Sequence, residues 1–225
     1  SNATYYDYTG TLRKSSYNLL LRSEEFDNSY WVKPGITITD NSTTSPDGTQ
    51  TADFMQEDSS TGRHDIYNDT VAALTAQPHT FSVYAKANGR NWLKLRLDGS
   101  GLFKGAFFNL TGNGAVGTVD TDYLASITNV GNGWYRCQIT KDLAAGNYYA
   151  APRLANADGS DSYQGDGTSG VYIWGAQLET GPYAGDYAKT EGSAASSARN
   201  VAFLPDGSGN FVSAGELLLE DAGTN

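Results

Sequence analysis

The sequence predicts an all-β fold, a sandwich of two antiparallel sheets. Glycine-based turn signals recur roughly every ten residues from Asn18 to about Thr190, and apolar and polar side chains alternate between them. No helical period of 3.6 residues competes over a comparable length. Short alternating strands at this spacing are typical of β-sandwiches.

The strands follow from the segments between the turns, which combine β-branched and aromatic residues with alternation. The turns are Pro34-Gly35, Pro46-Asp47-Gly48, Gly89, Asp98-Gly99, Gly112-Asn113-Gly114, Gly131-Asn132-Gly133, Asp158-Gly159 and Asp166-Gly167. The predicted strands are Asn18–Arg22, Ile36–Thr39, Thr51–Gln56, His64–Asn68, Thr80–Lys86, Trp92–Asp98, Gly105–Leu110, Tyr123–Val130, Trp134–Thr140, Tyr148–Leu154 and Gly170–Leu178.

The last of these strands has two occupied faces, which places it inside a sheet. A glycine-rich turn at Asp166-Gly167 leads into it without a catalytic side chain between them. Strict alternation predicts one face with Val171, Ile173, Gly175 and Gln177, and another with Tyr172, Trp174, Ala176 and Leu178. Trp174 or Tyr172 is expected to pack in the core.

Charge excludes two classes of partner. The chain has 225 residues, a formal net charge of −10 and a pI near 4.5. Nucleic acids and anionic membrane surfaces both require a basic face. No run of 18 apolar residues is present, which argues against membrane insertion.

Composition divides the chain into three parts. Residues 1–17 read as a tag remnant, Ser1-Asn2-Ala3, followed by a lead-in segment. Residues 18–190 form the predicted sandwich. Residues 191–225 begin with a small-residue linker and end in a partial segment that leads to a further module.

The residue types that often act in catalysis or metal binding are predicted to have structural roles in this chain. Cys137 is the single cysteine and alternates with Tyr135 and Ile139, which predicts a buried small hydrophobe. His64 and His79 are interpreted as surface residues. Glycoside hydrolysis requires a pair of carboxylates, and no spacing of Asp and Glu residues in the sequence indicates such a pair. No catalytic residue is therefore predicted.

Five sequence blocks, in order, resemble the carbohydrate-binding-like β-sandwich modules of bacteriophage and prophage fibre, spike and tail proteins. The blocks are Asn18–Trp31, Pro46–Asp53, Thr80–Ala87, Gly133–Cys137 and Gly165–Glu179. The resemblance implies a jelly roll akin to galactose-binding and carbohydrate-binding modules. It also implies a place on the virion surface or outside the cell, within a larger fibre protein; a homotrimer is one assembly considered for that protein, and its oligomeric state stays open.

Related sugar-binding modules often hold a structural calcium between acidic residues of the first and last strands. Glu24, Glu25 and Asp27 match the first position, but Gly175-Ala176-Gln177 stands where an acidic pair is needed. No metal site or other cofactor is therefore assigned, and calcium remains the one alternative.

A glycan-binding face follows from the alternation of three strands. Proteins bind sugars by stacking them on aromatic rings while polar side chains hydrogen-bond the hydroxyls. If Phe81, Leu93 and Tyr135 point inward with their alternate neighbours, the intervening aromatic and basic residues point outward. The predicted ligand-binding residues are Tyr84, Trp92, Arg96, Arg136 and Arg153.

The sequence thus predicts a non-catalytic module that binds bacterial surface glycan on behalf of a phage or prophage particle. Two alternatives stay open. The module is a structural spacer of the fibre without its own ligand, or it is the accessory domain of a polysaccharide depolymerase.

Overall fold

The computed structural model describes residues 4–6, 12–14, 17–68, 73–99, 102–196, 201–205 and 211–216. Within these ranges the chain forms strands and turns and no α-helix. The strands are β1 (Thr4–Tyr6), β2 (Leu12–Lys14), β3 (Tyr17–Asn18), β4 (Trp31–Val32), β5 (Ile36–Thr43), β6 (Ala52–Glu57), β7 (Thr61–Gly62), β8 (Tyr67–Asn68), β9 (Ala73–Leu74), β10 (Gln77–Asn88), β11 (Trp92–Asp98), β12 (Gly105–Asn109), β13 (Ala115–Val119), β14 (Tyr123–Gly131), β15 (Trp134–Leu143), β16 (Gly146–Asn147), β17 (Tyr149–Ala155), β18 (Tyr163–Gln164), β19 (Gly170–Thr180), β20 (Ala195–Ser196), β21 (Val201–Pro205) and β22 (Phe211–Glu216).

Two sheets carry the architecture. One has six strands in the order β14-β15-β10-β19-β6-β5, and the other has four in the order β13-β12-β11-β17. Neighbouring strands in both sheets run antiparallel. The remaining strands form two-stranded pairs: β1-β2, β3-β20, β4-β8, β7-β18, β9-β16 and β21-β22. The predicted all-β sandwich is confirmed.

One hydrophobic core fills the space between the two sheets. The side chains predicted to point inward from β10, β11 and β15 are all buried in it: Phe81, Val83, Ala85, Leu93, Leu95, Leu97, Tyr135, Cys137 and Ile139. Burying each large apolar side chain contributes about 1.5 to 3 kcal/mol. Cys137 is a core residue, as predicted, and burial raises the pKa of its thiol.

A β-bulge at Gly175 breaks the predicted alternation of β19. Gly175 has φ +63°, and the pairing of β19 with β10 shifts register between Tyr84 and Ser82. The extra residue reverses which side chains face the core beyond it. Ala176 therefore joins the core on the side of Ile173, and the expectation that Gln177 shares the face of Val171 and Ile173 is wrong.

A smaller aromatic cluster covers the outer face of the six-stranded sheet. Trp134 and Trp174 are buried there with Ala52, and Tyr84 and Tyr187 pack against them. Each indole N–H donates a hydrogen bond, Trp134 to the Thr44 carbonyl at 3.1 Å and Trp174 to Thr51 Oγ1 at 3.0 Å. Trp174 is thus buried as predicted, but outside the main core.

Asn18 ties the first segment of the sandwich to its last strand. Its Nδ2 donates to the carbonyls of Ala176 at 2.9 Å and Ala188 at 3.0 Å, while its Oδ1 accepts the backbone N–H of Leu178 at 3.1 Å. Of the predicted strand Asn18–Arg22, only Asn18 belongs to a regular strand, β3. The hydrogen bonds of its buried side chain help to hold this segment against β19. The pairing of β3 with β20 carries the sandwich to Ser196.

Candidate functional site

The five predicted binding residues lie on two opposite outer faces of the sandwich, so the expectation that they line one face is wrong. Tyr84 and Arg136 are cross-strand partners in the six-stranded sheet. Trp92, Arg96 and Arg153 belong to β11 and β17 of the four-stranded sheet. The hydrophobic core separates the two groups. Their roles in ligand binding stay predictions.

The polar side chains of β11 point away from the core, as alternation predicts, but they are not exposed. Arg96 is 3% exposed and Arg153 is 0% exposed. The segment around Asp65 lies beside β17 at the edge of this sheet, where Ile66 N–H donates to the Pro152 carbonyl at 3.0 Å and Leu154 N–H to the His64 carbonyl at 2.9 Å. Asp65 is thereby placed next to the two buried arginines, whose charges require partners.

An ion-pair network supplies those partners. Asp65 Oδ2 accepts Arg96 Nη1 at 2.9 Å and Arg153 Nη2 at 2.7 Å. Arg96 Nη2 also donates to Asp98 Oδ1 at 2.9 Å. Arg153 Nη1 donates to Asp161 Oδ2 at 2.7 Å, which Lys94 Nζ also reaches at 3.1 Å. Such charge-assisted hydrogen bonds fix the two guanidinium groups in place.

The charges in this network shift one another's pKa values. Burial lowers the pKa of the Arg96 guanidinium, and neighbouring Arg153 acts in the same direction against Asp98 and Asp65. Burial raises the pKa of the Asp98 carboxyl against the charge of Arg96. For Asp161, burial favours the neutral form, but the hydrogen bond from Arg153 and the charge of Lys94 hold the pKa below its usual range.

The ring of Phe103 lies against three guanidinium groups. The distances from the ring centroid to Cζ are 4.0 Å for Arg63, 4.6 Å for Arg96 and 5.0 Å for Arg153, all within the range of cation–π attraction. Phe103 also has φ +54°, a conformation that costs a bulky residue about 1 to 3 kcal/mol. Strain of this kind is concentrated at ligand-binding sites.

These residues surround an open pocket of about 410 Å³. Its lining combines aromatic rings, arginines and one carboxylate among the described residues: Pro34, Arg63, Asp65, Tyr67, Arg96, Phe103, Tyr149 and Arg153. Tyr67 and Tyr149 meet edge to face with their centroids 5.5 Å apart. The pocket is of the size and mixed polarity that small-molecule and sugar sites have.

Trp92 lies on the same outer face but at the other end of β11. It precedes Arg96 by four residues, which places it about 13 Å along the strand. A Cβ atom added to Gly117 of β13 would lie 2.7 Å from Trp92 Cζ3, so the indole packs against that glycine. Trp92 is half-buried and does not line the pocket.

Tyr84 and Arg136 belong to the aromatic cluster on the opposite face. Arg136 Cζ lies 5.3 Å from the Tyr84 ring centroid, and its Nη2 donates to Ser82 Oγ at 3.2 Å. The Tyr84 ring meets Trp174 edge to face at 5.2 Å. These contacts make both residues part of the packing over the six-stranded sheet.

Two of the five predicted residues, Arg96 and Arg153, meet in the pocket, and sequence reasoning missed the others that form it. Arg63 and Phe103 lie between predicted strands, where no alternation shows the direction of a side chain. Asp65 lies in the predicted strand His64–Asn68, but its contacts with Arg96 and Arg153 join residues 31 and 88 positions apart. Phe103 carries a weak sequence signal, because it is an aromatic residue that closely follows the predicted turn Asp98-Gly99. Tyr67 and Tyr149 carry the signal of aromatic residues in predicted strands.

Both histidines are buried, so the interpretation of His64 and His79 as surface residues is wrong. His64 lies under the Tyr163 ring with centroids 4.9 Å apart, and its Nε2 is 3.3 Å from Asp58 Oδ1. His79 Nδ1 is 2.9 Å from the Gln77 carbonyl, and burial lowers the pKa of its imidazole. Neither lines the pocket.

The acidic residues near the first strand do not fit a calcium ion without losing existing partners. Glu24 accepts the Tyr187 hydroxyl at 2.8 Å and pairs with Lys189 at 3.3 Å. Glu25 pairs with Arg22 at 2.6 Å. Across the part of the chain that the structure describes, no three His, Cys, Asp or Glu side chains form a group suited to a metal ion.

Among the described residues, no helix is long and apolar enough to cross a membrane.

No protein-family model matches the chain, and no curated protein matches it. Among solved structures, the chain is similar to the CBM22-1 xylan-binding domain from Paenibacillus barcinonensis Xyn10C, with 13% sequence identity and a TM-score of 0.39. The similarity covers 75% of this chain and 94% of that domain.

Proposed function

We propose that the chain is a non-catalytic glycan-binding module of a phage or prophage surface protein, and that it adheres to bacterial envelope polysaccharide. The observation that carries this proposal is the Phe103 pocket. An aromatic ring held in a strained conformation, two tyrosines and three guanidinium groups face one open cavity of about 410 Å³. Stacking surfaces beside fixed hydrogen-bond donors are what a sugar ring requires.

The charged groups of the pocket favour binding over catalysis. Among the described lining residues Asp65 is the single carboxylate, and it is paired with Arg96 and Arg153. Hydrolysis of a glycosidic bond by the usual routes uses two carboxylates on opposite sides of that bond. A rigid site with one committed carboxylate holds a sugar without cleaving it.

The resemblance of five ordered blocks to phage fibre, spike and tail modules supports the biological setting. A single shallow pocket binds a sugar weakly, so adhesion requires many copies. A homotrimeric fibre on the virion surface supplies them, and the effective concentration of neighbouring sites then raises the overall strength of attachment.

A glycan array of bacterial envelope polysaccharides tests the proposal. The isolated domain is expected to bind a subset of them, and Phe103→Ala is expected to weaken that binding about tenfold, the equivalent of about 1.4 kcal/mol. Tyr183→Ala serves as the control, because Tyr183 is an exposed aromatic residue that does not line the pocket.

Two outcomes favour the alternatives. Absence of binding to every polysaccharide favours a spacer. New reducing ends that appear only when downstream sequence is present favour the accessory domain of a depolymerase.

A further inference from the structure

We infer that the Phe103 pocket selects an acidic sugar, one whose carboxylate pairs with the guanidinium of Arg63. The inference rests on the proposed function and adds the class of ligand.

Among the described residues around the pocket, one cation has no carboxylate partner. These residues include four cations, Arg63, Lys94, Arg96 and Arg153, and three carboxylates, Asp65, Asp98 and Asp161. The three carboxylates pair with Lys94, Arg96 and Arg153. Arg63 forms no ion pair with a described residue. The described part of the pocket therefore has a surplus of one positive charge, which matches a ligand with one negative charge.

Arg63 is also the guanidinium that a ligand reaches. Its side chain is exposed at the pocket wall, whereas Arg96 and Arg153 lie buried behind it. The face of Phe103 lies 4.0 Å from its Cζ atom, which limits the orientations that the fork adopts. A planar fork held in this way forms two parallel hydrogen bonds with a planar carboxylate.

Arg96 and Arg153 also line the pocket, but they offer a ligand no accessible donor. Their Nη atoms bond to Asp65, Asp98 and Asp161. The Arg96 Nε–H has no partner among the described residues, but it is buried and out of reach of a ligand oxygen. Among the described lining residues, Arg63 is therefore the guanidinium that is left for the carboxylate of an acidic sugar.

The test uses bacterial capsular polysaccharides that contain uronic acids, each paired with its carboxyl-reduced form. Neutral capsules and a glycerol-phosphate teichoic acid complete the set. The native uronate capsules are expected to bind at least tenfold more tightly than their reduced forms. Arg63→Gln is expected to remove that preference, while Lys86→Gln preserves it. Lys86 loses the same charge on the outer face of the six-stranded sheet, so the net charge of the two variants is equal.

Each other result overturns a defined part of the account. Equal binding of native and reduced capsules, or tighter binding of neutral ones, removes the acidic-sugar inference and leaves glycan binding in place. If the teichoic acid binds as tightly as the uronate capsules, the pocket recognises a phosphate group, and the inference of a carboxylate is wrong. If no polysaccharide in the set binds the folded wild-type protein, the proposed function itself is wrong.

Discussion

Asp65 shapes the pocket through a single oxygen atom. Its Oδ2 accepts hydrogen bonds from Arg96 and Arg153, both of which are buried against the four-stranded sheet. Buried charges persist because each has a partner, and removing one partner leaves the other desolvated and unpaired. The position of both guanidinium groups therefore depends on this carboxylate.

Asp65→Asn is expected to lower the free energy of unfolding by about 3 to 5 kcal/mol, because two buried guanidinium groups lose a charged acceptor. Urea denaturation measures the effect. Asp142→Asn is the control, since Asp142 is an exposed carboxylate of β15. A loss below 1 kcal/mol at position 65 would show that the network contributes little to folding.

Arg96 shows where alternation stops being informative. Alternation places its side chain outward, and on that basis Arg96→Ala is expected to weaken binding without unfolding the domain. The structure corrects the second half of that expectation, because the residue is buried and paired with Asp65 and Asp98. Its partner Asp65 is 31 positions away in sequence, a contact that strand periodicity does not encode.

Asp53 makes stability depend on pH. Burial raises the pKa of its carboxyl to about 7, with the charges of Asp27 and Asp40 adding to the effect of burial and hydrogen bonds from the backbone N–H groups of Asn41 and Phe26 opposing it. Between the ordinary pKa near 4 and a pKa of about 7, the folded state binds more protons than the unfolded state. Stability therefore falls as pH rises through this range.

Asp53→Asn is expected to remove this component. Relative to the variant, wild type loses about 2 to 3 kcal/mol of unfolding free energy between pH 5 and pH 8. The comparison is made between proteins because burial lowers the pKa of His79, which acts in the opposite direction. A carbon-13 titration of the Asp53 carboxyl with a midpoint below 5 would contradict the account.

Packing on both faces of β19 depends on the bulge at Gly175. Before Gly175 the core-facing residues are Val171 and Ile173, and after it they are Ala176 and Leu178. Strict alternation would have placed Gln177 in the apolar core. The bulge instead lets Gln177 bond to Glu179 at 2.8 Å and to the Asp186 carbonyl at 3.1 Å.

Gly175→Ala is expected to destabilise the domain by about 2 to 3 kcal/mol. The positive φ contributes about 1 kcal/mol, and crowding contributes the rest, since the new Cβ would lie 3.1 Å from Tyr84 Cδ2. Gly112→Ala is a matched control with φ +60° and no atom within 4 Å of the new Cβ. Equal losses in the two variants would show that only backbone strain matters.

Sequence reasoning succeeded for the strands and failed for the pocket for one physical reason. Inward and outward directions in β10, β11 and β15 depend on the local period of two, which the sequence contains. The pocket depends on pairs such as Asp65 and Arg153, which are 88 positions apart. The bulge at Gly175 was visible as a glycine within a strand, but its effect on register was not.

The two outer faces of the sandwich differ in how they are used. The six-stranded sheet is closed by the packed cluster of Trp134, Trp174 and Tyr187. The outer face of the four-stranded sheet carries the ion-pair network and the open pocket. Mutations in the aromatic cluster should therefore change stability without changing binding, whereas truncating the Phe103 ring should change binding with little effect on stability.

Trp174→Ala is expected to cost about 3 to 5 kcal/mol of unfolding free energy, as large aromatic truncations do, with no change in glycan affinity at a temperature where the variant is folded. Phe103→Ala is expected to do the reverse, weakening binding while the melting temperature changes little. Thermal melts and calorimetric titrations on both variants measure the two effects. A loss of affinity from Trp174→Ala alone would move the site to the six-stranded sheet.

The central claim is that the Phe103 pocket is the glycan-binding site. Chemical-shift mapping on isotope-labelled protein, titrated with fragments of an envelope polysaccharide that binds on the array, tests it most directly. The account predicts perturbed signals from Arg63, Asp65, Tyr67, Phe103, Tyr149 and Arg153, and unchanged signals from Tyr84 and Arg136. Perturbations confined to Tyr84, Arg136 and their neighbours on the six-stranded sheet would contradict it.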